Sequence, residues 1–115
     1  MNLDLKKLGD QAPISQYILY KIRHNYTNLR DNMVFEKLSA CLIAKKVISS
    51  YHYEMLNSMS TNSKKNMKLL DILKRRCMSQ YKNFIECLRE TGHRHVASLL
   101  EAEGGNALNF NYFMK

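Results

Sequence analysis

Proline and glycine are both scarce in this chain. Its 115 residues contain one proline, Pro13, and four glycines. An all-β protein would need many more turn-forming residues, so their scarcity favours helices. Apolar residues make up 45% of the sequence, which is too many for a disordered tail. At this length the chain has room for one domain with one hydrophobic core.

Paired cysteines, a signal peptide and a long apolar run are missing too. The three cysteines (Cys41, Cys77 and Cys87) are an odd number without a CxxC pair, which argues against a disulfide framework and favours a reducing compartment. Lys6 and Lys7 are not followed by the apolar segment of a signal peptide. No stretch approaches the roughly 18 uncharged apolar residues of a membrane span. We therefore expect a soluble cytosolic or nuclear protein, with the cytoplasm as its predicted location and no membrane partner.

Patterns typical of metal sites and of nucleophilic catalysis are weak. His93 and His95 lie two residues apart, hence on different faces of a helix, and no CxxC or HxxxH accompanies them. Cys41 and Cys87 fall on apolar stripes and are predicted to be core residues, whereas Cys77 lies in a link where we expect it to be exposed and oxidisable. The sequence therefore predicts that the chain is not an enzyme and has no catalytic, cofactor-binding or metal-binding residue.

Six amphipathic helices are predicted from apolar residues that recur with helical spacing between short polar breaks. The first begins near Ile14 or Ser15, and its pattern slips around 30–33, where a kink or break is expected. The signals for helix ends are Ser49 or Ser50 before the third helix, Ser79 before the fifth, Gly92 after the fifth and Gly104–Gly105 after the sixth.

The predicted core combines one stripe from each helix. Its residues are Tyr17, Ile18, Ile22, Tyr26 and Leu29, then Phe35, Leu38, Cys41 and Leu42, then Tyr53, Leu56 and Met59, then Met67, Leu70 and Leu73, then Tyr81, Phe84, Ile85 and Leu88, then Val96, Leu99 and Leu100. Helices this short are not stable alone and must share one core. We predict an all-α, six-helix antiparallel bundle over 14–103, with a kinked first helix, an N-terminal extension (1–13) and a C-terminal tail (104–115).

The stretch from Leu69 to Leu100 closely resembles the last three helices of a caspase recruitment domain (CARD), a branch of the death-fold superfamily. It reads LLDILKRRCMSQYKNFIECLRETGHRHVASLL, with a Leu-Leu-Asp-Ile-Leu helix, a basic link, a helix ending near Glu-Thr-Gly and a closing Leu-Leu helix. Residues 18–23 resemble the first helix of the family, and residues 45–54 resemble its junction between helices 2 and 3. Lys74 and Cys77 depart from the common proline and glycine of the link. The resemblance covers roughly residues 15 to 102 and implies a death fold of Greek-key type.

The resemblance also implies a function. Such domains are not catalytic and bind their own kind, often by pairing a basic patch on helices 1 and 4 with an acidic patch on helices 2 and 3. Head-to-tail use of two different patches can extend into oligomers or filaments. The implied partner is therefore a CARD-containing adaptor, receptor or initiator caspase of apoptotic or innate-immune and inflammatory signalling, including inflammasomes.

Charge is concentrated in the predicted fourth helix. The whole chain carries a net charge of +8, and residues 63–76 hold six basic side chains against the single acid Asp71, a local net charge of +5. We predict a partner-binding basic face formed by Lys21, Arg23, Lys64, Lys65 and Lys68. Arginines common in the family are replaced here by Asn62, Ser63 and Met67, and lysine gives a less directional contact than an arginine fork. Binding is therefore expected to be salt-sensitive.

The acidic counterpart is less complete. We predict an acidic face from Asp31, Glu36 and Glu54, of which Glu54 matches an acid of the family's helix 3. Ala40 occupies a helix 2 position that is often acidic. The sequence therefore favours binding to the acidic face of a different domain over self-association.

Three other interpretations stay open. The basic helix can be an ordinary solvated face, or it can belong to a small nucleic-acid-binding protein. Its cluster is mostly lysine and lacks the arginine, asparagine and glutamine grouping of base readout, which argues against nucleic acid as a partner. The chain can also be a decoy regulator or the N-terminal domain of a longer protein, and the sequence does not distinguish activation from inhibition.

Overall fold

The computed structural model describes residues 12–101, and this part of the chain is all-α. Its helices are α1 (Gln16–His24), α2 (Tyr26–Asn32), α3 (Phe35–Ala44), α4 (Ser50–Asn57), α5 (Asn62–Leu73), α6 (Met78–Glu90) and α7 (Arg94–Glu101). Within these residues the β-type pairing is a single isolated bridge between Pro13 and Cys77. The predicted fold class is thus confirmed at the level of an all-helical domain. The proposed extension and tail, with Gly104 and Gly105, fall largely outside the described residues.

The predicted first helix is divided into α1 and α2, so the described residues contain seven helices where the sequence predicted six. The interruption is at Asn25, which leaves helical geometry (φ −103°, ψ 14°) and ends α1. Both its backbone N–H and its side-chain Nδ2 donate to the carbonyl of Lys21, at 3.0 and 2.9 Å. The slip expected around 30–33 corresponds instead to the connection between α2 and α3.

Hydroxyl side chains cap three of the helices. Ser15, Ser49 and Thr61 each accept a hydrogen bond from a backbone N–H in the first turn of α1, α4 and α5. His52 completes a capping box, since its Nδ1 accepts from the N–H of Ser49 at 3.3 Å. The predicted cap at Ser79 is wrong: α6 begins earlier, at Met78, so Ser79 lies inside its first turn.

The end of α6 follows the sequence prediction. Thr91 is the C-cap residue of α6. Gly92 follows it with a φ of +83°, the left-handed geometry that glycine adopts without strain. The N–H of His93 then donates to the carbonyl of Leu88 at 2.8 Å, a bond typical of this helix ending. The turn directs the chain into α7.

One core lies between the helices, and most predicted core residues are buried in it. Its fully buried members include Phe35 from α3, Leu56 from α4 and Phe84 from α6. Some predicted members, such as Tyr17 and Tyr26, are half-buried, and Met67 is exposed over 43% of its surface. Within residues 12–101 no helix has the length and apolar character needed to cross a membrane.

Candidate protein-interaction face

The two sides of helix α5 carry different residues, buried on one side and mostly charged on the other. Its inner side buries Asn66, Leu69, Leu70, Ile72 and Leu73. Its outer side carries what we call the α5 basic face: Lys64, Met67, Lys68, Asp71 and Arg75, the last lying just beyond the helix. These positions recur at intervals of three or four residues and therefore follow one side of the helix. The helix thus serves the core and presents charge at the same time.

Two asparagines fix α5 against the connection between α2 and α3. Asn66 is fully buried, and its Nδ2 donates to the carbonyls of Arg30 and Met33 at 2.8 and 2.7 Å. One turn earlier, Asn62 donates to the Met33 carbonyl at 2.8 Å and accepts the N–H of Phe35 at 3.0 Å. Because Asn66 takes the inward position, Met67 is turned to the surface, which explains why its prediction as a core residue is wrong.

Asp71 lies between two cations on the α5 basic face. Its Oδ2 is 3.6 Å from both Lys68 Nζ and Arg75 Nη2. Pairs of this kind, with exposed side chains, contribute little to stability. They do offset part of the repulsion among the basic residues, which would otherwise destabilise the helix. The face keeps a positive excess, because Lys64 is exposed beside them.

A shallow groove of about 580 Å³ borders the α5 basic face. Its other walls are Tyr26, at the start of α2, and Met59 and Ser60, which follow α4. The Nζ of Lys74 lies 5.9 Å from the centroid of the Tyr26 ring, a cation–π distance. Arg23 is exposed in the last turn of α1, three residues before Tyr26. Positive charge and apolar surface are therefore adjacent here.

Two basic residues of the cluster have structural contacts. Lys65 is half-buried, and its Nζ lies 5.8 Å from the centroid of the Phe35 ring. The Nη2 of Arg76 donates to the carbonyl of Lys46 at 3.2 Å, next to the left-handed backbone of Lys46 (φ 61°). Part of the local charge predicted from the sequence therefore stabilises the fold.

Lys21 does not lie on the predicted basic face. It is only 5% exposed, and its Nζ lies 5.4 Å from the centroid of the Tyr17 ring. With Tyr17 it lines a different groove, between α1, α6 and α7. The reason is its position next to Ile22 on the inner side of α1. We therefore remove Lys21 from the partner-binding set.

The predicted acidic residues are dispersed over three helices. Asp31 lies near the end of α2, where the hydrogen-bonded Arg30 guanidinium (Nε to Oδ1, 2.8 Å) holds the pKa of its carboxyl below the ordinary value. Glu36 is exposed in the first turn of α3, and Glu54 is exposed on α4. Asp31 already has a cationic partner, which leaves Glu36 and Glu54 as the better candidates for an acidic contact.

His93 has a structural role, and Cys77 is less exposed than the sequence predicted. His93 is 2% exposed, and its Nε2 accepts the N–H of Val34 at 3.0 Å, which joins the start of α3 to the turn before α7. Burial is the main cause that lowers the pKa of His93. Cys77 is half-buried rather than exposed as predicted. Within the described part of the chain, no three His, Cys, Asp or Glu side chains form a group that could hold a metal ion.

The family comparison agrees with this architecture. The family model of the caspase recruitment domain matches residues 20–103, which is most of the chain. The chain belongs to the caspase recruitment domain family. This confirms the resemblance seen in the sequence, and it makes the chain a non-catalytic protein-interaction domain.

Two curated proteins are similar in sequence to this CARD. It is 26% identical over 80 residues to cell death protein 3 of Caenorhabditis remanei, an alignment covering 70% of this chain and 16% of that protein. It is 25% identical over 87 residues to caspase-2 of Gallus gallus, covering 76% of this chain and 20% of that protein. The chain thus spans a fifth or less of the length of these relatives. No solved structure matches it significantly.

Sequence reasoning missed the residues that organise this face. Asn62 and Asn66 are polar residues four apart in the sequence of α5, a spacing that brings them to one side of the helix. Tyr26 was predicted as a core residue, yet it is half-buried and also borders the groove. Hydrogen bonds to distant backbone carbonyls have no local sequence signature, so the inward position of Asn66 could not be read from the pattern.

Proposed function

We propose that this CARD binds another caspase recruitment domain through the α5 basic face together with Arg23, in apoptotic or innate-immune and inflammatory signalling. The observation that carries the proposal is the excess of positive charge beside the groove at Tyr26 and Met67. An acidic surface with an apolar contact at its centre would complement both features. Lys65 stays in the proposed face, although its side chain is half-buried and its Nζ lies near the Phe35 ring.

The proposal favours a different domain as partner over a second copy. Its acidic candidates, Glu36 and Glu54, lie on two separate helices, and Asp31 is already paired with Arg30. A partner CARD with a denser acidic face would therefore compete well against self-association. Oligomers or filaments remain part of the proposal as a second, weaker mode in which the basic face of one copy contacts these acids on the next.

The remaining details of the proposal come from the family. We propose the six-helix Greek-key topology of the death fold, with α1 and α2 acting as its interrupted first helix. We also propose a cytoplasmic location, in keeping with the absence of a CxxC pair, and a partner that is an adaptor, a receptor or an initiator caspase. The similarity to cell death protein 3 supports an apoptotic setting.

A charge-reversal experiment tests the face. Arg23→Glu with Lys68→Glu should abolish capture of the partner from a native lysate by the immobilised chain. Lys82→Glu with Arg94→Glu is the matched control, because it makes the same change in net charge on exposed positions of α6 and α7. Wild-type binding should also weaken steeply as salt rises, since exposed charges are screened over about 10 Å at 0.1 M salt.

Two results would contradict the proposal and support another interpretation. Capture that is unchanged by the Arg23 and Lys68 reversals would mean that the α5 basic face is an ordinary solvated surface. Tight binding to duplex DNA in a gel shift at physiological salt, without capture of any CARD, would support the nucleic-acid-binding alternative. The logarithm of the binding constant would then fall linearly with the logarithm of the salt concentration, and this slope becomes steeper with each phosphate that a lysine neutralises.

A further inference from the structure

Two of the three cysteines meet at the contact between α3 and α6. Cys41 lies in the last turn of α3 and Cys87 in the last turn of α6, 46 residues apart in the sequence. Their Sγ atoms are 2.6 Å apart. A disulfide bond measures about 2.05 Å, so closing the pair requires a movement of roughly half an ångström. The fold therefore brings together two thiols that the sequence predicted only as separate core residues.

The two thiols differ in access. Cys87 is fully buried, and its burial raises the pKa of its thiol well above the ordinary value. Cys41 is half-buried, and its Sγ lies 3.6 Å from Glu90 Oε1. Glu90 in turn pairs with Lys45 at 3.4 Å, so the Cys41 thiol lies beside a charged pair at the surface. A reagent from solution would reach Cys41 first.

Cys77 lies too far away to compete. It occupies the capping position at the start of α6, ten residues before Cys87, which corresponds to about 15 Å along a helix. Burial raises the pKa of Cys77, but hydrogen bonds from Ser79 and from the backbone outweigh it, and the resulting pKa is lowered. Cys77 therefore has no second thiol close by in α6, and it provides an internal control.

We propose that Cys41 and Cys87 form a reversible intramolecular disulfide that fastens α3 to α6 when the chain meets a small-molecule disulfide such as oxidised glutathione. In the first step the Cys41 thiolate attacks one sulfur of the oxidant, forming a mixed disulfide and expelling a glutathione thiolate. In the second, Cys87 gives up its proton and attacks the Cys41 sulfur, and a second glutathione thiolate leaves. The protons lost by Cys41 and Cys87 pass through solvent to the two expelled glutathione thiolates. Two protein thiols are oxidised and one glutathione disulfide is reduced to two glutathiones.

This inference does not depend on the proposed partner. It is compatible with the odd cysteine count, because one pair leaves Cys77 over. It also agrees with a reducing compartment, where such a bond would be open at rest and close only under oxidation. A cross-link between residues so distant in sequence removes many conformations from the unfolded chain, so the oxidised domain should unfold at a higher temperature.

The test is oxidation of the full chain under native conditions with oxidised glutathione, followed by a peptide map without reduction. We expect a cross-linked peptide pair containing Cys41 and Cys87, with a mass about 2 Da below the sum of the reduced peptides. Cys77 should appear as a glutathione adduct. The melting temperature should rise on oxidation and return after dithiothreitol, and Cys77→Ser should behave as the wild type.

Oxidation in concentrated urea distinguishes proximity in the fold from chance pairing. In an unfolded chain the short loop between Cys77 and Cys87 closes more readily than the 46-residue loop between Cys41 and Cys87. The disulfide between Cys41 and Cys87 should therefore no longer be the main product in urea. The inference is overturned if native oxidation leaves Cys41 as a glutathione adduct beside a reduced Cys87. It is also overturned if the cross-link includes Cys77 or joins two chains. The wild-type map gives this answer without a substitution at the buried Cys87.

Discussion

Replacing the buried Asn66 with alanine should destabilise the domain by about 2–3 kcal/mol. The side chain donates two hydrogen bonds, each contributing about 1 kcal/mol, to the carbonyls of Arg30 and Met33. The Arg30 carbonyl depends on it, because its usual helical partner, the N–H of Val34, donates to His93 instead. A buried carbonyl without a donor costs about 1–3 kcal/mol. The Met33 carbonyl keeps the bond from Asn62.

One contribution has the opposite sign. The Oδ1 of Asn66 is buried without a hydrogen-bond partner among the described residues. Removing it relieves roughly 1 kcal/mol of desolvation, which is why we expect a loss near 2–3 kcal/mol rather than a larger one. For a domain of this size such a loss corresponds to a fall in melting temperature of roughly 10–20 °C.

Aspartate at the same position separates the hydrogen bonds from the packing. Asn66→Asp keeps the shape, but an ionised carboxylate only accepts hydrogen bonds and would face two carbonyl oxygens. Folding should therefore raise the pKa of the introduced carboxyl, and the stability of this variant relative to the alanine variant should increase as the pH falls from 7 toward about 4. At pH 7 the aspartate variant should be less stable than the alanine variant.

Urea unfolding followed by circular dichroism at pH 7 and pH 4 measures these differences. Asn57→Ala, at the exposed end of α4, is the control and should change stability by less than about 0.5 kcal/mol. A loss below about 0.5 kcal/mol for Asn66→Ala would refute the role assigned to its hydrogen bonds. So would an Asn66→Asp variant whose stability relative to the alanine variant does not depend on pH.

Three further outcomes follow from particular contacts. Folding lowers the pKa of His93, so its contribution to stability is present above about pH 6.5 and is lost as the pH falls toward the pKa of the folded state. The midpoint of urea unfolding should therefore fall between about pH 7.5 and 5, and His93→Gln should reduce this dependence on pH. Gly92→Ala should lose about 1 kcal/mol in the same assay, since φ is +83° there. Asp71→Asn frees Lys68 and Arg75, so capture of an acidic partner should persist to higher salt; capture at lower salt only would contradict this.

Much of the helical architecture could be predicted because local signals define it. Ser49 and Thr61 cap the beginnings of α4 and α5, and Gly92 follows the end of α6, all through local geometry. Apolar spacing identified most of the core. The interruption at Asn25 was missed because asparagine is tolerated inside helices as well as at their ends. Ser79 misled the prediction, since a hydroxyl in the first turn of a helix looks like a cap from sequence alone.

The face was harder to predict because burial of a charged residue depends on its tertiary neighbours. Lys21 and Arg23 are two residues apart and chemically similar, yet one is buried and the other exposed. Arg76 looks like part of the basic cluster, but its guanidinium holds the carbonyl of Lys46, thirty residues earlier. Charge along the sequence therefore overstated the number of side chains available to a partner.

The division of α5 into two sides has a consequence for how binding can change independently of folding. The inner side carries Asn66 and the leucines, and hydrogen bonds of Asn66 and Asn62 fix the helix against the connection between α2 and α3. The outer side contributes exposed pairs around Asp71 that add little to stability. Substitutions at Lys64, Met67 or Lys68 can therefore alter the charge and shape offered to a partner while the bundle stays intact. This separation makes charge reversal a fair test of binding, because a loss of capture can be attributed to the surface itself.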